Sequence, residues 1–281
     1  YAGLIHPDIH DLKLDPTTNS TLFIASDGGI HKTDNPYNTT SIPTYTDICD
    51  GLQVNSVFHM GTSPIDEDVI IIGQYDAGTT FTDNASQVPI TWTHVIEGDG
   101  YQALVDKKDP TIMYGSVFLS PIYLKKTIDN WVSASVISTQ IPIGDPNPYY
   151  SPDAKIGPKD NKLYSFRREI GVRNDANTAW NRISNFVADF PNIFPSCPSS
   201  ISAIGLSASN ENYIYAAAFN YPNCSPLGVH IFKSTRGGGI GSNCVSSGSG
   251  NCWVVFSLGI TEKVNDITVD SDNPEWIIPP T

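Results

Sequence analysis

A turn signal recurs along this chain at a nearly constant interval. Asp15-Pro16, Ser63-Pro64, Asp109-Pro110 and Gly157-Pro158 stand 48, 46 and 48 residues apart, and Asn273-Pro274 follows later. Each of the first four precedes a β-rich run: residues 21–25, 69–72, 111–114 and 162–166. A fifth run, residues 213–216, fits the series although its turn lacks proline. A period of this size marks supersecondary units that cannot bury a hydrophobic face alone and must stack on their neighbours.

The rest of each unit obeys the same order. A further strand is expected at residues 29–32, 78–81, 122–125, 171–173 and 229–232, and an aromatic (Tyr45, Trp92, Trp131, Trp180 and Trp253) marks a fourth. Four strands per unit, repeated, predict an all-β fold: a β-propeller of four-stranded antiparallel blades. A β-sandwich or β-helix fits less well, because neither repeats one four-strand pattern five times. The expected blades are about 5–50, 51–98, 99–138, 149–188 and 200–259, in one domain over 1–281. A sixth unit starts at 264–281, so at least five blades are present, a sixth is begun, and the chain reads as an incomplete part of a larger propeller.

Composition narrows the partners. A net charge of -13 would repel phosphate backbones, which excludes nucleic acid as the expected partner. No apolar run is long enough to span a bilayer, so no membrane insertion is expected. No charged leader opens the sequence, which reads as already processed or as a fragment. Cys244 and Cys252 bracket a Gly/Ser loop without zinc-ligand spacing, which suggests a local disulfide; Cys197 and Cys224 are candidates for a second, leaving Cys49 over. Disulfides persist in oxidising compartments, so the expectation is a secreted or cell-surface protein.

Between third and fourth strands the chain resembles the Asp box of sialidases, sortilin-type receptors and xyloglucanase-like enzymes, Ser/Thr-x-Asp-x-Gly-x-x-Trp. Ser234-Thr235-Arg236-Gly237 carries it with Arg in the Asp place, and Thr33-Asp34, Thr82-Asp83 through Trp92 and Asp129 near Trp131 are looser copies. The first hundred residues resemble a group of bacterial secreted BNR-repeat propellers. They carry His6-Pro7-Asp8-Ile9-His10, Asp27-Gly28-Gly29, Gly51-Leu52-Gln53, Gln74-Tyr75-Asp76-Ala77-Gly78 and Gly98-Asp99-Gly100. The fourth motif departs from the family's Gln-Asp-Asn-Gly by inserting Tyr75 and replacing Asn with Ala77. The resemblance implies a cargo of the type IX secretion route.

In a four-stranded meander, alternate connections emerge on one side of the disc. The starts of first strands, the second-to-third turns and the links between blades therefore share a rim. It should collect His6, Asp8, His10, Asp27, Asp50, Gln53, Asp76 and Asp99. His6, Asp8 and His10 alternate along a strand, so they read either as ligands of a divalent metal such as calcium or, the preferred reading, as an inner-strand hydrogen-bond network. Asp27 and Asp99, each followed by glycine, read as tight-turn residues first and as ligands of Ca²⁺ or sugar hydroxyls second. Asp50, Asp76 and Asp99 are the carboxyls available for glycoside hydrolysis, which needs two across a cleft. Sialidase chemistry is disfavoured, because Arg167, Arg168 and Arg173 all fall in one blade. Two functions compete. One is a secreted propeller that binds a glycan or protein ligand through its loop-rich face; the alternative is a xyloglucanase-like polysaccharide hydrolase using paired aspartates.

Overall fold

In a computed structural model of the 281-residue chain, the residues described are 5, 8–18, 20–37, 43–49, 55–118, 124–137, 153–173, 179–191, 193, 199–220, 229–240, 253–257 and 263–278. Five sheets follow one another, each a four-stranded antiparallel meander paired in chain order. Blade 1 holds β1 (Ile9–Leu14), β2 (Leu22–Ser26), β3 (Gly29–Thr33) and β4 (Thr46–Asp47); blade 2 holds β5 (Val57–Thr62), β6 (Ile70–Gln74), β7 (Gly78–Thr82) and β8 (Thr93–Ile96). Blade 3 comprises β9 (Gly100–Val105), β10 (Met113–Val117), β11 (Leu124–Thr127) and β12 (Ser135–Val136); blade 4 comprises β13 (Asp153–Ile156), β14 (Leu163–Phe166), β15 (Ile170–Arg173) and β16 (Asn181–Arg182), followed by a single helical turn, α1 (Phe186–Asp189). Blade 5 contains β17 (Ser199–Leu206), β18 (Ile214–Asn220), β19 (Val229–Ser234) and β20 (Val254–Ser257), and a two-stranded sheet of β21 (Thr268–Val269) and β22 (Ile277–Ile278) comes last. The chain is therefore nearly all β. Among the described residues no helix is long and apolar enough to cross a membrane.

The core lies in the seams between blades. Val69, Ile71 and Phe81 of blade 2 pack with Ala103, Val105 and Met113 of blade 3, and Tyr114 and Leu124 of blade 3 pack with Ile156, Leu163 and Trp180 of blade 4. The alternation of a β-strand feeds both sides of each sheet. Along β18, Ile214, Ala216 and Ala218 face the seam with blade 4, while Tyr215 and Ala217 face Val264 and Ile267 in the next unit. That is why the middle strands read as continuous apolar runs. Two indoles also stitch neighbours: Trp180 Nε1 donates to the Ile137 carbonyl at 2.7 Å, and Trp253 Nε1 to that of Ile183 at 3.0 Å.

The turns of the face opposite the rim are built from short side chains that replace backbone partners. Asp15 Oδ1 accepts from the Thr17 N–H at 2.8 Å and Asp109 Oδ1 from that of Thr111 at 3.0 Å, which makes the Asp-Pro pairs Asx turns. At the third turn of blade 3, buried Thr127 donates to Asp129, whose carboxylate accepts from Ser133. In blade 2 the equivalent acceptor is Asn84, two residues after Thr82; Asp83, which the sequence pattern singles out, is not the residue in that place. In blade 5, Ser234 Oγ takes the N–H of Gly238 at 2.9 Å.

Two local features have no counterpart in the sequence pattern. The helical turn α1 is capped by buried Glu169, whose carboxylate accepts from the N–H groups of Phe186 (2.8 Å) and Val187 (3.0 Å) and pairs with Arg182 at 2.8 Å. The second is a register shift near the start of the innermost strand in blades 1, 2, 3 and 5, at Ile9/Asp11, Val57/His59, Gly115/Val117 opposite β9, and Ile201/Ala203. Bulges of this kind re-aim side chains at sheet ends.

Candidate functional site

The bulges shape the rim. Because the pairing passes from Ile9 directly to Asp11, His10 is the extra residue of its strand, and Asp8 precedes the strand rather than lying in it. The even alternation expected from Asp8 to His10 is thereby interrupted. His6, Asp50 and Gln53 lie outside the described residues, as do Cys197, Cys224, Cys244 and Cys252. The sulfur of Cys49 takes the N–H of Ile30 at 3.0 Å, close behind the left-handed Gly29 of the β2–β3 turn.

What the fold brings together instead is an acidic group from two blades. Asp8, Asp27 and Asp76 each place a carboxylate oxygen within 4.8 Å of the others. Asp27 is the first residue of the two-residue β2–β3 turn, and its N–H donates to the Asp8 carbonyl at 3.1 Å. Asp76 sits in a left-handed conformation, φ 58°, in the three-residue β6–β7 turn, and its N–H donates to Asp99 Oδ1 at 3.2 Å. Asp99 thus joins the same rim, 72 residues after Asp27. Both glycines around Asp99 have a reason: Gly98 has φ +86°, and a Cβ on Gly100 would collide with the Gly78 carbonyl. Close blade packing is what lifts the carboxylate to its neighbour.

Four acids at one rim alter the groups among them. His10 Nε2 is hydrogen-bonded to Asp27, and that bond, followed by the negative charge of Asp27, Asp8 and Asp76, raises the imidazole above its usual pKa. The same carboxylates, Asp76 first and Asp99 second, push the Tyr75 phenol upward. Carboxylate oxygens at this spacing suit a hard cation or a set of donating hydroxyls.

Beside the acids lies an aromatic ledge that sequence reasoning missed. Phe58, the bulge residue of β5, meets Tyr75 edge-on at 5.4 Å, Tyr101 at 5.5 Å and, stacked, Phe118 at 5.6 Å. Phe58 is 40% exposed and Tyr75 41%, large values for rings in a cluster. Tyr75 is the residue inserted into the motif, so the departure from the family pattern is what completes the ledge. Phe118 is tied in by its N–H, which donates to the Asp99 carbonyl at 2.7 Å. Phe58 and Tyr101 stand at first-strand starts and Tyr75 in a rim motif, whereas Phe118, just past the end of β10, carries no such mark.

Under the ledge three blades share one polar network. The Tyr101 hydroxyl donates to Asp153 Oδ1 at 2.6 Å and Gln102 Nε2 donates to the same oxygen at 3.1 Å, while His59 Nδ1 lies 3.2 Å from the Tyr101 carbonyl. Burial pushes the Asp153 carboxyl above the ordinary range, against the opposing pull of Tyr101, His59, Lys263 and Gln102. Burial also lowers His59, which favours the neutral ring.

No family model matches the sequence, and no curated protein matches it. Solved structures do. An ancestral GH74 enzyme superposes with a TM-score of 0.55 at 14% identity over 98% of this chain and 34% of its own. The GH74 xyloglucanase from Xanthomonas campestris gives 0.55 and 14% over 96% of this chain and 43% of its own, and a GH74 enzyme from Niastella koreensis 0.54 and 16% over 95% and 43%. The chain thus spans well under half the length of each. At such identities the likeness is one of fold, and with five four-stranded blades in sequence it makes this chain a β-propeller.

Proposed function

We propose that this chain is a secreted or cell-surface propeller of the BNR type that binds a glycan on its acidic rim. The observation that carries the reading is the exposed ledge of Phe58 and Tyr75 next to Asp8, Asp27, Asp76 and Asp99. A pyranose ring presents an apolar C–H face, which packs on an aromatic ring, and an edge of hydroxyls, which donate to carboxylates. Sites for neutral ligands commonly combine such an apolar surface with a few placed polar groups. A net charge of -13 points to a neutral or cationic saccharide rather than an acidic one. Protein ligands of the same rim are a less favoured partner, since protein interfaces are depleted of aspartate and four carboxylates cluster beside the ledge.

The test is calorimetric titration of the chain with xyloglucan oligosaccharides, which the X. campestris enzyme of the same fold is named for, and with cello-oligosaccharides. Binding that is weakened in Phe58→Ala and Tyr75→Ala supports the reading, while an absence of heat with both sugars, or binding indifferent to both variants, rejects it. A second reading, polysaccharide hydrolysis, draws on the GH74 likeness and on Asp76 and Asp99 meeting at one rim. Release of reducing ends from xyloglucan, abolished in Asp99→Asn, would favour it over binding alone.

A further inference from the structure

Tyr101 belongs to two assemblies at once. Its ring packs against Phe58 at 5.5 Å and Phe118 at 5.3 Å in the ledge, and its hydroxyl reaches Asp153 on the first residue of β13. Asp153 Oδ1 takes both that hydroxyl and the amide of Gln102, so a single oxygen fixes two neighbouring side chains of blade 3 from blade 4. We infer that Asp153 is the positioning residue of the aromatic ledge and that its protonation loosens Tyr101, and with it the glycan site proposed above, on which this inference rests.

The charge on Asp153 decides the strength of the hold. An ionised carboxylate accepts charge-assisted hydrogen bonds roughly twice as strong as neutral ones. A protonated carboxyl keeps the acceptor but gives up that excess. Within this network the Tyr101 phenol is pushed far upward by burial and by Asp153 itself, Gln102 does not titrate, and His59 on β5 is lowered by burial, so between pH 3 and 8 the groups that change are Asp153 and His59, which Asp153→Asn separates. Arg167, at the turn after β14, and Lys263, ahead of β21, supply the positive charge that acts on Tyr101 and Asp153. The aspartates of the opposite face, such as Asp15 and Asp109, are held below their ordinary range by their own threonines, so they titrate in a lower window than Asp153.

The experiment follows two signals in the full chain across pH 3 to 8, the near-ultraviolet circular dichroism of the aromatic side chains without sugar and the affinity for xyloglucan oligosaccharides. In the unmodified protein both should change together, with a midpoint above 3.8 and affinity falling on the acid side by about three- to tenfold. Asp153→Asn retains an acceptor oxygen but cannot titrate, so the spectral transition should vanish, and with it the part of the affinity change that shares its midpoint, leaving only what the rim carboxylates contribute. A spectral transition that persists unchanged in Asp153→Asn overturns the inference while leaving glycan binding intact. A transition that depends on Asp153 in a protein that binds no sugar at any pH leaves the positioning role standing and removes the glycan reading. Should Asp153→Asn fail to fold, Tyr101→Phe, which lacks the hydroxyl but keeps the ring, carries the same comparison: a transition unchanged there overturns the inference.

Discussion

Blades 1 and 5 have the same topology and very different interiors. In blade 5, Ile214, Tyr215, Ala216, Ala217, Ala218 and Phe232 are all buried, and the sheet packs against a neighbour on each side. In blade 1 every residue of β1 is exposed, Leu12 to 53%, and no core cluster among the described residues joins it to blade 2. At the rim, Asp8 and Asp27 of blade 1 approach Asp76 of blade 2. One end of the molecule is held by apolar seams, and the other contributes Asp8, His10 and Asp27 to the candidate site. Ligand-binding regions are commonly drawn from the less stable parts of a fold, since packing that fixes a scaffold leaves few groups to meet a ligand.

The strongest way to break this comparison is truncation of one large apolar side chain in each blade. Phe232→Ala, at 0% exposure, should cost about 3 to 5 kcal/mol in urea denaturation, whereas Leu12→Ala should cost under about 1 kcal/mol. Equal losses would show that blade 1 is packed as tightly as blade 5. Next comes the buried polar staple of blade 4. Glu169→Ala leaves the N–H groups of Phe186 and Val187 without their acceptor and removes the ion pair with Arg182, and should destabilise by about 2 to 3 kcal/mol, measured the same way.

At the rim the effect should move from stability to affinity. Tyr75→Ala should weaken oligosaccharide binding about tenfold, which is about 1.4 kcal/mol, with a melting temperature nearly unchanged because the ring is already half exposed. A large fall in melting temperature would instead assign the ledge to packing.

Two smaller effects depend on pH. Asp15, Asp109 and Asp129 are held below 3.8 in the fold, first by hydrogen bonds from Thr17, Thr111 and Ser133, so the stability they lend is present above 3.8 and disappears as pH falls through their lower folded values. Asp153 is raised, so its contribution has the opposite sign: complete below 3.8 and lost as pH rises through its folded value. Melting curves against pH should therefore show a mildly acidic optimum that flattens on its alkaline side in Asp153→Asn. Smallest of all, nuclear magnetic resonance should find His10 titrating above 6.5, and Asp27→Asn should bring it back toward that value. An unchanged His10 would separate the two residues that define the rim in blade 1.

The repeat of Asp-Pro turns and apolar runs was enough to order the strands. Observed second strands begin within about two residues of the expected runs, because a period-two alternation bounded by turn residues leaves little choice of conformation. The meander also made the rim legible, and Asp27, Asp76 and Asp99 meet there as connection parity requires. The metal set was not legible in the same way. Of His6, Asp8 and His10, the bulge re-aims His10 and Asp8 precedes the strand, while His6 lies outside the described residues.

Turn chemistry and hydrophobic period are local, so the sequence by itself determined the blades, their order and which loops share a face. The ledge, the hold of Asp153 on Tyr101 and the pairing of Asp76 with Asp99 were decided only by tertiary structure. Phe58, Tyr75, Tyr101 and Phe118 lie up to 60 residues apart, and Asp153 lies 52 residues beyond Tyr101. They meet because adjacent blades pack at backbone distance, where Gly100 comes close to the Gly78 carbonyl, and because bulges turn the first-strand side chains at that rim. Neither a bulge nor an approach between blades leaves a period in the sequence, since each depends on the surface of another blade.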